Sequence, residues 1–203
     1  MSLLRLGVLA SGRGSNLQAI MDACREGKIP AKVAVVISDN ENAFALTRAR
    51  QEEIPAIHVN PRNFPGKEEY ERAIVATLRD YQVELVCLAG YMRLVGKTIL
   101  EAYPNRILNI HPALLPAFPG LHGQKQAVEY GVRFSGCTVH FVDEGCDTGP
   151  IILQAVVPVY ATDTEETLAE RILEQEHRIY PEAIRLFAEG KLRIEGRRVF
   201  IAD

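Results

Sequence analysis

The chain has 203 residues, 47% hydrophobic and 24% charged, which is typical of one soluble globular domain. Its formal net charge of -3 gives no broad attraction to nucleic acid or an anionic membrane, so neither is expected as a partner. No apolar run approaches the ~20 residues of a transmembrane helix, and the four cysteines lack a CxxC pair, which favours reduced thiols over a disulfide framework or metal site.

Apolar runs that end in glycine alternate with helical patterns through the first half of the chain. The run 4–11 predicts a strand buried on both faces, and Ser15 is expected to cap the helix that follows. Further strands are predicted at 31–38, 56–59, 83–90 and 106–111, and further helices at 42–53, within 61–81 and at 97–103. This alternation is typical of βαβ units and a parallel sheet.

The second half of the chain changes its pattern. A helix is predicted at 124–130, strands at 135–142 and 150–159, a long amphipathic helix at 164–188, and a terminal hairpin with a turn at Glu195 and Gly196. Because no helix separates the two strands, part of the sheet is expected to be antiparallel. The predicted fold class is therefore α/β, a single Rossmann-like domain whose mostly parallel central sheet is flanked by helices, with antiparallel strands in the C-terminal half.

The first motif with chemical meaning is "SGRGSNL", residues 11–17. Glycines between a strand and a helix let backbone amides approach an anion, and the start of the helix adds partial positive charge. The third glycine of a dinucleotide fingerprint is replaced by Leu17, and the GK[ST] of a Walker loop is absent. A single phosphate held by Gly14, Ser15 and Asn16 is the simpler interpretation, and a plain turn between strand and helix is the alternative.

The second motif is "LNIHP", residues 108–112, where a predicted strand ends. Side chains alternate along a strand, so Asn109 and His111 are expected on one side, aimed at the crevice where α/β sheets bind ligands. An amide and an imidazole suit a reaction in which a carbonyl oxygen becomes negative. The alternative is a buried histidine beside a turn-forming asparagine.

The third motif is the loop "DEGCDTGP", residues 143–150, between two predicted strands. Its Asp147 could pair with His111 and favour the charged imidazole. An acidic surface turn is the alternative, and the spacing of an EF-hand calcium loop is absent.

Taken together, these motifs resemble the phosphoribosylglycinamide formyltransferases, a branch of the 10-formyltetrahydrofolate-dependent formyltransferases. The resemblance rests on the segments "SGRGSNLQAI", "LAGYMRLV", "ILNIHPALLPAFPGLHG", "GCTVHFVDEGCDTGPIILQ" and "EQEHRIYP", in that order. It implies a cytoplasmic enzyme of purine biosynthesis that transfers a formyl group from 10-formyltetrahydrofolate, its co-substrate, to the amine of glycinamide ribonucleotide without a metal. It also implies one formyltransferase domain over 1–203, with a phosphate-binding half at about 1–105 and a catalytic and folate half at about 106–203. A homodimer stays open.

The resemblance also assigns residues to roles. The catalytic trio would be Asn109, His111 and Asp147, and the loop that holds the substrate phosphate would be Gly14, Ser15 and Asn16. The folate would contact Lys67, Met92, Arg93, Leu94, Val95, Asn109, Asp143, Glu144, Gly145, Cys146 and Asp147. The glycinamide substrate would contact Leu173, Glu174, Gln175 and above all Glu176. Two departures are Arg13, where some members have Asn or Thr, and the Gly-Gln-Lys after His122, where several have another histidine.

Other formyl-folate enzymes are the nearest rivals. A methionyl-tRNA formyltransferase is expected to carry an additional C-terminal RNA-binding domain, and a formyltetrahydrofolate hydrolase an N-terminal regulatory domain, and we expect neither domain here. A sugar-nucleotide N-formyltransferase stays open. A non-catalytic Rossmann-like binding module would need the phosphate loop, but it would not explain why Asn109, His111 and Asp147 should converge.

Overall fold

The computed structural model describes residues 2–203, and it divides the chain into two compact units. The first unit ends at Leu108, and the second comprises Asn109–Asp203. The expectation of one formyltransferase domain with halves at about residue 105 stays a prediction.

The first unit alternates strands with helices, as the sequence predicts. Its elements are β1 (Leu4–Leu9), α1 (Ser15–Arg25), β2 (Ala31–Ser38), α2 (Phe44–Gln51), β3 (Ala56–His58), a 3-10 turn (Pro61–Asn63), α3 (Lys67–Asp80), β4 (Leu85–Leu88) and α4 (Lys97–Ala102). The strand order is β3-β2-β1-β4, and β1 pairs in parallel with both β2 and β4. All four residues of β4 are buried, which explains its uninterrupted apolar sequence.

The second unit contains antiparallel pairing and one long helix. Its elements are β5 (Ile107–His111, which spans the boundary), α5 (Gly123–Tyr130), β6 (Phe134–Phe141), β7 (Ile151–Pro158), α6 (Glu165–Ala188), β8 (Leu192–Glu195) and β9 (Arg198–Ile201). The strand order is β5-β6-β7, and β6 runs antiparallel to β7. Strands β8 and β9 form a separate antiparallel hairpin.

Helix α6 covers β6 and β7 with an apolar stripe. Leu168, Ile172 and Ile179 recur at helical spacing, and each is at most 2% exposed. The helix begins after Thr164, whose hydroxyl accepts the Thr167 amide at 3.2 Å, so the first turn is capped by a side chain. This helix carries residues 173–176, which are predicted from the sequence to contact the glycinamide substrate.

The predicted fold class is confirmed: the chain is α/β, its sheet is mostly parallel, and antiparallel strands occur in the C-terminal half. The cap predicted for the first helix was wrong. Gly14, with a φ of 74°, is the N-cap, and Ser15 is already the first helical residue. The glycine takes this place because a left-handed φ is strained for other residues. The terminal turn lies one residue later than predicted, at Gly196 and Arg197.

Candidate active site

The predicted phosphate loop connects β1 with α1 in the first unit. A Cβ atom on Gly14 would lie 2.8 Å from the Cα atom of Ala45, so glycine is needed for this close approach as well as for its φ. The first helical hydrogen bond runs from the Gln18 amide to the Gly14 carbonyl at 2.9 Å. The amides of Ser15 and Asn16 come before it, and such N–H groups are what a helix start offers to an anion.

Helix α2 supports this loop from one side. The Ala45 amide donates to the Gly12 carbonyl at 3.0 Å, and Arg48 Nε donates to the Arg13 carbonyl at 2.7 Å. The Arg48 side chain therefore fixes the loop backbone. Arg13, the residue that departs from the family pattern, contributes its carbonyl oxygen to that contact.

Four of the predicted folate residues lie together in the first unit. Lys67, Met92, Arg93 and Leu94 line a cavity of about 430 Å³. Its other lining residues include the aromatic side chains Phe64, Tyr70 and Tyr91. An apolar, aromatic wall with a few cations suits a flat ring system that ends in carboxylates. Val95 is 9% exposed and does not line this cavity.

The catalytic trio predicted from sequence comes together in the second unit. Asn109 and His111 lie on β5, and Asp147 lies in the loop between β6 and β7. Asn109 Nδ2 lies 3.4 Å from Asp147 Oδ1, and His111 Nδ1 lies 3.4 Å from Asp147 Oδ2. An amide, an imidazole and a carboxylate therefore meet at the end of β5.

His111 is almost completely enclosed, with 4% of its surface exposed. Its Nε2 lies 2.7 Å from the carbonyl oxygen of Phe118, to which it donates because a carbonyl can only accept. Its Nδ1 faces the Asp147 carboxylate, which also only accepts. The ring is therefore held on one side by the Phe118 carbonyl and faces a carboxylate on the other, and its protonated form would place positive charge at this point.

Asp147 is held by more than the two predicted partners. The Gly120 amide donates to Oδ2 at 2.8 Å, and His140 Nε2 lies 3.6 Å from Oδ1. Burial of the carboxyl acts to raise the pKa of Asp147, but hydrogen bonds from His140 and the Gly120 amide and the charge of His111 prevail and lower this pKa to about 2. Asp147 is therefore a carboxylate at neutral pH.

His140, on β6, is a further member of this cluster. It is 2% exposed, and its Nδ1 donates to the Phe141 carbonyl at 2.9 Å. Its Nε2 lies 3.3 Å from Asn109 Nδ2 and 3.6 Å from Asp147 Oδ1, so this one nitrogen faces both the amide and the carboxylate. The only sequence signal for this role is a histidine in an apolar strand that leads into the acidic loop.

Backbone groups of the loop after β5 complete the cluster, and no sequence motif predicts them. The Phe118 carbonyl binds His111, and the Gly120 amide binds Asp147. Every residue has these groups, so residue types do not reveal them. Phe118 has a φ of 50°, an uncommon backbone conformation for a side chain of this size.

The remaining residues of the acidic loop do not share one environment. Asp143 Oδ1 accepts the Gly145 amide at 3.0 Å and also the Thr148 hydroxyl, so its carboxylate stabilises the turn itself. Glu144, Gly145 and Cys146 are exposed. Arg197, in the terminal hairpin, donates to the Thr148 carbonyl at 2.8 Å and fixes the far side of the loop.

The segment matched to the glycinamide substrate lies in the middle of α6. Glu176 is 7% exposed, which is unusual for a glutamate on a long surface helix. Glu174 is exposed, Leu173 is partly exposed, and Gln175 accepts Arg178 Nε at 2.9 Å. Glu176 is thus the one carboxylate of this segment that is enclosed by protein.

Residues 2–203 contain neither a metal-binding cluster nor a membrane-spanning helix. No group of three or more histidine, cysteine, aspartate or glutamate side chains is arranged to hold a metal ion. None of the helices in this range has the length and apolar character needed to cross a membrane.

Comparison with known protein families gives one match over most of the chain. The model of the family described as formyl transferase matches residues 4–184. The chain belongs to the formyl transferase family. A formyl group is a one-carbon acyl unit, and the cluster at the end of β5 has the donors that an acyl oxyanion needs.

Individual relatives of this chain also carry formyltransferase or purine-biosynthesis names. The phosphoribosylglycinamide formyltransferase of Escherichia coli K12 is 45% identical, with 98% of this chain and 93% of the relative covered. A trifunctional purine biosynthetic protein adenosine-3 of Drosophila pseudoobscura is 47% identical over 93% of this chain, which spans only 14% of that relative's length. The crystal structure of glycinamide ribonucleotide transformylase 1 from Symbiobacterium toebii has a TM-score of 0.98 at 62% identity, covering 100% of this chain and 95% of the other.

Proposed function

We propose that this chain transfers the formyl group of 10-formyltetrahydrofolate to the amine of N1-(5-phosphoribosyl)glycinamide, a step of purine biosynthesis. The observation that carries the proposal is the meeting of Asn109, His111 and Asp147 at the end of β5. The names of the Escherichia coli and Symbiobacterium relatives support the choice of substrate. The co-substrate follows from the resemblance to formyl-folate enzymes.

In the first step the amine attacks the formyl carbon. A carbon–nitrogen bond forms, and the carbonyl electron pair moves to the oxygen, which becomes an oxyanion. Asn109 offers an amide N–H to this oxygen, and His111 in its protonated form places positive charge beside it. The contacts of Asn109 with His140 at 3.3 Å and with Asp147 at 3.4 Å are long, so a substrate oxygen can replace one of them at little cost.

In the second step the tetrahedral intermediate breaks down. The oxyanion electron pair reforms the carbonyl, and the bond from the formyl carbon to folate N10 breaks. The pair of that bond stays on N10, which takes up a proton, while the attacking amine loses one, so protons and charges balance. Asp147 does not supply this proton, because its pKa of about 2 keeps it ionised at neutral pH. Its role is to orient His111.

Other parts of the chain would bind the two substrates. The amides of Ser15 and Asn16, at the start of α1, suit the phosphate of the ribonucleotide. The cavity lined by Lys67 and residues 92–94 suits the folate. Glu176, enclosed within α6, offers a carboxylate to the substrate amine. The predicted cytoplasmic location, the absence of a required metal and the homodimer stay predictions.

The test is a spectrophotometric assay of folate product release with three acceptors. We expect turnover of 10-formyltetrahydrofolate with glycinamide ribonucleotide, and none above background with water alone or with an aminosugar nucleotide. Release of tetrahydrofolate without any amine would instead identify a hydrolase. Turnover only with the aminosugar nucleotide would identify a sugar-nucleotide formyltransferase, and binding without turnover would identify a binding module.

A further inference from the structure

Ser11 occupies a junction in the first unit. It follows β1 and is the first residue of the predicted phosphate loop, but its hydrogen-bond partners lie outside this loop. Its backbone amide donates to the Gly90 carbonyl at 3.0 Å, just beyond β4. The residues that follow Gly90 are those matched to the folate pocket.

The Ser11 hydroxyl uses both of its hydrogen-bonding capacities. It donates to Asp39 Oδ1 at 2.7 Å, and it accepts the backbone amide of Met92 at 2.9 Å. Both distances are those of good hydrogen bonds. The partners are 28 and 81 positions away in sequence, so this one oxygen joins three separate loops.

Asp39 extends the connection to the next residue of the folate segment. Its other oxygen, Oδ2, accepts Arg93 Nε at 3.0 Å. The Asp39 side chain is 12% exposed, so this ion pair is shielded on the acid side. The Arg93 guanidinium also lies 5.6 Å above the Tyr70 ring, which lines the same cavity. Met92 and Arg93 are therefore positioned by atoms of Ser11 and Asp39.

We infer that Ser11 is a positioning residue for folate binding, although it lies at the start of the phosphate loop. Through its hydroxyl it fixes the Met92 amide directly and the Arg93 side chain by way of Asp39. Since the cavity is assigned to folate only under the proposed function, the inference rests on that function. It adds an effect that proximity in sequence would not suggest: a change beside the phosphate loop weakens the other substrate.

The test compares two serines four positions apart. Ser11→Ala removes the acceptor of the Met92 amide and the donor to the Asp39 carboxylate. Leaving such groups without a hydrogen-bond partner is unfavourable. We expect the KM for 10-formyltetrahydrofolate to rise roughly tenfold, equal to about 1.4 kcal/mol, with kcat at saturation changed less than threefold. Ser15→Ala keeps the backbone amide that suits the phosphate, and it is expected to leave the KM of the folate unchanged.

Two further variants complete the design. Ser135→Ala is the matched control, because this serine is 2% exposed and its hydroxyl has no hydrogen-bond partner. Asp39→Asn loosens Arg93, and it is expected to raise the folate KM in the same direction. The double variant should raise the folate KM by less than the product of the two single fold-changes, because both residues act through one hydrogen-bond network.

The outcomes separate the two proposals. An unchanged folate KM in Ser11→Ala, with a raised KM for the ribonucleotide, would overturn the positioning role and leave the formyl transfer intact. If Ser11→Ala does not fold, Asp39→Asn carries the same comparison, and an unchanged folate KM there overturns the role. If the wild type transfers no formyl group, calorimetric binding of tetrahydrofolate to the same variants tests the positioning on its own.

Discussion

Asp147 gives the sharpest prediction, because its charge should stabilise the folded chain over a defined pH range. The variant is Asp147→Asn, which removes the charge and nearly keeps the shape. In the folded chain the carboxylate accepts the Gly120 amide at 2.8 Å and faces His111 and His140 at 3.4 Å and 3.6 Å. In the unfolded chain these partners are lost, and an ordinary aspartate pKa of about 3.9 returns.

The sign and size of the contribution of Asp147 to the free energy of unfolding follow from its lowered pKa. A carboxyl whose pKa is lower in the folded state stabilises the fold above its unfolded pKa, and this stabilisation is lost as the pH falls through the folded value. Here the pKa is lowered from 3.8 to about 2, which corresponds to about 2 kcal/mol at neutral pH. The side chain is only 12% exposed, so screening by solvent reduces this value little.

The assay is urea unfolding of the wild type and the variant at several pH values between 3 and 7. We expect the free energy of unfolding of Asp147→Asn to be lower by about 2 kcal/mol or more at pH 7. The gap should be constant from pH 7 to about 5 and should then shrink as the pH approaches 3. The matched control is Asp80→Asn, at the exposed end of α3, for which we expect no such gap.

A gap of the same size at pH 3 and pH 7 would refute the reasoning, because it would mean that the carboxyl does not titrate differently in the folded chain. A gap that grows at low pH would reverse the sign and would indicate a protonated Asp147 in the native state. Direct titration of the Asp147 carboxyl carbon by NMR supplies the independent check, with a midpoint expected near 2.

Two further predictions address catalysis and the fold. Asn109→Ala should reduce kcat by about 10²–10³ at unchanged KM for the ribonucleotide, as expected for one lost oxyanion donor. Steady-state kinetics measure both constants, with the exposed Asn42→Ala as the control. A normal kcat in Asn109→Ala would show that Asn109 does not stabilise the oxyanion. Thr164→Ala should lower the free energy of unfolding by about 1 kcal/mol through loss of the α6 cap; unfolding in urea measures it, and an unchanged midpoint would contradict the capping role.

The sequence predicted the elements well where periodicity was strong. The buried run of β4 and the amphipathic pattern of α6 both match the structure, because burial of apolar side chains decides these elements. The prediction of Ser15 as the N-cap of α1 was wrong for a specific reason. Serine is a common N-cap, but the chain needed a left-handed residue before it, so Gly14 took the position and Ser15 became helical.

Only those residues of the candidate site that have polar side chains in or beside apolar strands could be predicted from the sequence. Asn109, His111 and Asp147 stood out because polar groups in or beside apolar strands call for an explanation. Phe118 and Gly120 act through backbone atoms, and the loop conformation that brings these atoms to the cluster is not encoded in a local pattern. Ser11 was visible in a motif, but its partners 28 and 81 positions away depend on the completed fold.

The geometry at Asp147 also limits how activity measurements on its variants can be interpreted. Five groups face its two oxygens: the Gly120 amide, the Cys146 thiol, Asn109, His111 and His140. An asparagine at this position keeps one acceptor oxygen, but its NH2 group would meet donors on the other side. Loss of activity in Asp147→Asn therefore combines a missing charge with a displaced His111. Only a kcat that falls further than the free energy of unfolding accounts for, measured where the variant is fully folded, assigns the acid a role in the reaction itself.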